Sequence, residues 1–122
     1  MITQISKNVT GTVMVNLPDG APKFLVYNDE NPSFLLTNVI EERTMLGSIL
    51  LYIKKSSSIH LENLSLMELS NTRDEDENLP FFLFQLEASE LPELQPGFYW
   101  KKASELVVAF QKFKMSTTKD ED

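Results

Sequence analysis

His60 is the only histidine of the chain, and there is no cysteine. Thiolate metal sites, disulfides and cysteine nucleophiles are excluded by composition. A zinc site would need several carboxylates gathered around His60. Ser56, Ser57 and Ser58 stand close enough in sequence to pair with His60 as nucleophile and base. No G-x-S-x-G turn presents them, and they lie in a polar stretch of the kind that closes a helix. His60 reads better as a partly exposed strand residue. Two carboxylate runs bear on metal chemistry. Glu41-Glu42 offers two metal oxygens, but the pair suits the positive end of a helix dipole better. Asp74-Glu75-Asp76-Glu77 has the charge of a calcium loop without its alternating ligands or distal glutamate, so it reads as a solvated loop. Phe98-Tyr99-Trp100 could stack on a ligand ring. The competing role for these aromatics is packing beneath a C-terminal helix, where Leu106 and Phe110 need cover.

The charge balance narrows the partners. With 18 acidic against 11 basic residues, the net charge of −7 opposes a sequence-independent grip on nucleic acid. Lys54-Lys55 and Lys101-Lys102 are the adjacent basic pairs, and both read as solvated surface. Residues 1–10 lack the apolar core of a signal peptide, and the run 49–53 is too short for a bilayer. The sequence therefore reads as cytoplasmic, with no membrane and no nucleic-acid partner. Its length suits one domain over residues 1–115, followed by a flexible charged tail over 116–122.

The elements that must position these residues follow from periodicity. Residues 11–16 alternate Val13 and Val15 with Thr12 and Met14, a strand pattern. Pro18-Asp19-Gly20 makes a turn, and a second strand over 23–28 completes a hairpin. Phe34-Leu35-Leu36 predicts a short third strand. Leu46, Ile49, Leu50 and Ile53 fall at helical spacing, with Thr44 as N-cap and Lys54-Lys55 at the dipole's negative end. A short strand after the helix and a longer one near 64–70 come next. The acidic loop then leads into an apolar strand, 79–86, that pairs back on its predecessor. Residues 87–96 form a connector, 97–100 an aromatic strand, and 103–114 a second helix carrying Leu106, Val107, Phe110 and Phe113.

This order of elements resembles the Nudix hydrolase fold, an α/β/α sandwich on a mixed sheet, here with two main helices. Three features carry the resemblance, which spans about residues 12–113. The strand ending in Pro18-Asp19-Gly20 runs into Lys23-Phe24-Leu25-Val26-Tyr27. The helix 44–55 follows a short strand, where the family places its catalytic helix. The segment from Gly97-Phe98-Tyr99-Trp100 to Leu106 looks like the common Nudix ending. The family signature is G-x5-E-x7-R-E-U-x-E-E-x-G-U, with U apolar. Anchored at Ile59, it puts its other apolar position on Ile53. Its glycines fall on Thr37 and Ser58, and its first glutamate on Arg43. Its Arg-Glu pair falls on Leu51 and Tyr52, and its Glu-Glu pair on Lys55 and Ser56.

In that family the helix carboxylates hold divalent cations that neutralise a diphosphate and activate water. The resemblance therefore implies a scaffold without the hydrolytic chemistry: no catalytic residue, no metal site and no cofactor. It points to a catalytically inactive binding or interaction module. A ligand cleft would be lined by Leu51, Tyr52, Phe82, Phe84 and Trp100. The partner would be a small molecule, another protein or a second copy in a homodimer. The alternative is a divergent metal-dependent nucleoside diphosphate-type hydrolase, with ligands from Glu41, Glu42 and the acidic loop.

Overall fold

The computed structural model describes residues 7–39, 44–74 and 77–107, with the side chains of 72–74, 77 and 78 set aside. Its centre is β1 (Asn8–Asn16), whose two edges are used differently. Along one edge, β5 (Glu77–Glu87) runs parallel from Thr10–Phe81 to Asn16–Glu87. The other edge is shared. β3 (Leu35–Asn38) pairs antiparallel with its first half, and β2 (Lys23–Tyr27) joins antiparallel at Met14 and Val15. Outside these lie β4 (Ser65–Asp74) on β5 and β6 (Phe98–Lys102) on β2, giving a mixed six-stranded sheet. Where β1 changes partner from β3 to β2, two buried threonines complete the bonding. Thr10 donates to the Leu35 carbonyl, and Thr12 donates to the Leu25 carbonyl at 2.8 Å.

The alternation read in β1 sorts the core into two layers. Val9, Val13 and Val15 face α1 (Met45–Ser56), together with Leu25, Leu35, Phe82, Phe84 and Leu86. On the opposite face, Phe24, Val26, Phe34, Leu79 and Phe81 cluster with Leu106. Ile49 and Ile53 are the fully buried apolar residues of α1, and Leu46, at the margin of the stripe, is partly exposed. The helix crosses β1 at Gly11. A Cβ there would stand 2.7 Å from the Phe82 carbonyl oxygen and 3.3 Å from Ile49 Cγ1.

Three expectations need correction. Residues after α1 form no short strand but a 3-10 turn over Leu61–Asn63, and His60 precedes it in a loop rather than in a strand. The aromatic strand does not lie beneath the C-terminal segment as a block. Phe98 and Trp100 face α1, while Leu106 belongs to the other layer. The described residues contain one main helix, α1. The second predicted helix begins as a 3-10 turn over Ala103–Leu106, and the rest of its predicted span, with the charged tail, lies outside them. β4 and β5 pair as the expected hairpin, but their strands extend into the stretch read as a loop, as far as the pair Asp74–Glu77. No helix among the described residues is long and apolar enough to cross a membrane.

Gly11→Val should destabilise the protein by about 2–3 kcal/mol, the cost of overpacking a tight helix–sheet contact. Urea unfolding checks this, and an unchanged midpoint would disprove the close approach.

Candidate functional site

The site is built from α1 and the β2–β6 end of the sheet. Thr44 caps the helix as its type and position predict, its hydroxyl accepting from Gly47 N at 2.9 Å. The other end is closed by serines. Ser56 Oγ donates to the Tyr52 carbonyl at 2.6 Å, and Ser57 Oγ donates to the Ile53 carbonyl at 2.8 Å. Ser58 exchanges bonds with the 87–96 connector: its N–H donates to the Glu93 carbonyl, and its hydroxyl accepts from Glu93 N. These hydroxyls do structural work at a helix terminus, where carbonyls otherwise lack partners. They are poorly placed as nucleophiles for His60.

On the flank of α1 facing β6, Tyr52 meets Phe98 edge-on, with ring centroids 5.8 Å apart. Phe98 in turn meets Tyr27 edge-on at 5.4 Å. Asn28 N–H donates to the Gly97 carbonyl at 2.8 Å and ties the end of β2 to the start of β6. Gly97 has φ +94°, and a Cβ there would press on the Tyr27 ring at 3.2 Å. Both facts favour glycine at this position. Tyr27 is 48% exposed, so the aromatic row opens to solvent at this end. Burial, with a smaller contribution from Tyr27, raises the Tyr52 pKa above the ordinary phenol value and keeps its hydroxyl neutral. On the other face of the sheet, Lys101 pairs with Asp29 and lies over the Tyr99 ring.

The expected cleft residues divide accordingly. Trp100 stands on the Tyr52 side, where its indole N–H donates to the Pro92 carbonyl at 3.0 Å and pins the connector. Phe82 and Phe84 lie on β5 with near-parallel rings, 5% and 2% exposed, and form part of the core under α1. Leu51 is half-exposed and projects about 100° around the helix from Tyr52. Phe98 belongs to the aromatic run expected to stack on a ligand ring, and Tyr27 is the member of the row that sequence reasoning does not find. Its signal was present: Tyr27 and Phe98 both fall near turn residues on neighbouring strands, but pairing β2 with β6 requires the sheet order.

The register of the signature fits the geometry at its apolar positions, since Ile53 and Ile59 are both buried. At the metal-ligand positions the donor set does not fit a hard cation. Tyr52 presents a neutral phenol, Lys55 an ammonium, and Ser56 a hydroxyl already committed to the backbone. Among the described residues, no three Asp, Glu or His side chains come together as a metal site. Glu41, Glu42 and Arg43 lie outside those residues.

Solved structures supply the comparison. A Caenorhabditis elegans Ap4A hydrolase binary complex superposes with a TM-score of 0.65 at 14% identity, covering 84% of this chain and 86% of that one. The Nudix domain of Shewanella oneidensis NrtR, complexed with ADP ribose, gives 0.59 at 9% identity over 88% and 79%. The fold is Nudix-like. The C-terminal domain of mouse MUTYH, solved with human PCNA, gives 0.57 at 14% identity over 84% and 77%. At these identities the shared feature is the fold alone. No family model matches the sequence, and no curated protein does.

The raised Tyr52 pKa has a sign for stability. The neutral phenol is favoured in the folded state, so its contribution is complete below the ordinary phenol pKa near 10 and declines as pH rises towards the folded value. Denaturation midpoints should therefore fall above about pH 10, and Tyr52→Phe should flatten that fall. Equal slopes in the two proteins would refute the assignment.

Proposed function

We propose that this chain is a cytoplasmic, catalytically inactive Nudix-fold module that binds or docks rather than hydrolyses. The observation that carries the reading is the occupancy of one helix surface. Tyr52, Lys55 and Ser56 stand where the family signature calls for carboxylates, and an ammonium at such a position repels the cation that the chemistry needs. The small-molecule side of the reading rests on the row Tyr27–Phe98–Tyr52, which offers ring edges and two phenol hydroxyls, with Trp100 on the same side of the sheet. Leu51 borders this row, while Phe82 and Phe84 support the helix from beneath.

The interaction side rests on β4, the outer strand at one end of the described sheet. Its Leu66, Met67 and Leu69 are 48%, 50% and 57% exposed, an unusual density of apolar surface for an edge strand. A protein partner or a second copy of the chain suits such a strip. Among the structural neighbours, NrtR is complexed with ADP ribose and the MUTYH domain with PCNA, so one fold serves both kinds of recognition.

The test is direct. Pure protein incubated with nucleoside diphosphates, nucleotide sugars and dinucleoside polyphosphates, plus Mg²⁺ or Mn²⁺, should form no mononucleotide, sugar phosphate or other cleavage product above the blank. Metal-dependent turnover that disappears in Glu42→Gln would establish the divergent hydrolase instead.

A further inference from the structure

A cavity of about 280 Å³ opens at the C-terminal end of α1, lined by Lys54, Ile59, His60, Leu61 and Glu62. It shares no residue with the aromatic row. Its apolar wall is Ile59, a core residue, and the half-buried Leu61. Its polar rim is Lys54, His60 and Glu62, all exposed.

The lysine is the informative member. Lysines near a helix C-terminus commonly serve its unpaired carbonyls. Here two of the last four carbonyls are already taken, Ile53 by Ser57 Oγ and Ser56 by the Gln95 N–H. Among the described residues, neither Lys54 nor its neighbour Lys55 has a carboxylate in ion-pair contact. Two ammonium groups without such a partner among the described residues also exceed the roughly half charge of the helix end. The lining thus sets one ammonium, Lys54, against one carboxylate, Glu62, beside a concave apolar wall, with Lys55 adjacent on the helix.

We propose that this cavity is a metal-independent binding site for a small phosphate monoester. Lys54 supplies the ammonium to the phosphate, and an imidazole N–H of His60 supplies a second donor. Lys55 adds its field from the helix. Ile59 and Leu61 take the organic part, and Glu62 limits the charge the site tolerates. The volume decides the size class, because drug-sized ligands occupy about 300–1,000 Å³. One ring with one phosphate fits; a dinucleoside polyphosphate does not. The site stands independently of the aromatic row and of whether the protein hydrolyses anything.

Phenyl phosphate is the probe, titrated into isotopically labelled full-length protein in EDTA and followed by amide chemical shifts. Saturable shifts should centre on residues 54–62, with phenol and inorganic phosphate each binding more weakly. Lys54→Gln should weaken binding about tenfold, the usual worth of a charge-assisted hydrogen bond. Glu62→Gln should tighten it, and Lys7→Gln, on an exposed residue remote in sequence, should leave it unchanged. The proposal is overturned by any of three results: no saturable shift up to about 10 mM, equal affinity in Lys54→Gln, or binding that appears only when a divalent cation is added.

Discussion

The contact on which the rest depends is the seating of α1 on β1 at Gly11. The Phe82 carbonyl oxygen alongside and Ile49 above together leave this β1 position no room for a side chain. With Ile49 and Ile53 held in the core, the rotation of the helix is set, and every other residue on it has an assigned direction. Tyr52 is turned towards β6, and Lys54 and Lys55 are left in solvent. The chemistry available on this surface is therefore a consequence of packing: the same helix that completes the core also presents ammonium groups and a neutral phenol.

A Nudix-like scaffold and a cation-binding surface are separable properties. The scaffold needs the sheet, the helix crossing and the buried pair Ile53 and Ile59, all of which this chain keeps. Metal binding needs oxygen ligands converging within one coordination sphere, and these are set by a few outward side chains whose replacement leaves the core intact. At the serine-rich end of α1 the hydroxyls are engaged in structure. Ser56, Ser57 and Ser58 bond to the helix and to the 87–96 connector, and Trp100 holds that connector from the sheet. The segment forms a staple between the helix and a return loop.

Much of this arrangement was legible in the sequence because it follows from local periodicity. The apolar spacing of α1, its Thr44 cap, the β1–β2 hairpin and the β4–β5 hairpin all depend on neighbours a few residues apart. What could not be read depends on long-range order. Whether Phe98 and Trp100 face α1 or the C-terminal segment is decided by the register of β6 on β2, a pairing across more than seventy residues. Phe82 and Phe84 read as core residues with one strand face left for a cleft, because a continuous apolar strand does not reveal which layer covers each face. The leucines of 61–69 fit no single template for a physical reason as well: they cross from a 3-10 turn into a bulged outer strand whose side chains are only half covered.

The central claim is that the outward surface of α1 cannot assemble a divalent-cation site. Titrating Mn²⁺ into labelled protein and reading paramagnetic broadening of the amides tests it most directly. The account predicts that residues 51–58 stay sharp at stoichiometric Mn²⁺, with any broadening confined to scattered exposed acids. Saturable, selective broadening of that segment, reversed by excess Mg²⁺, would contradict it.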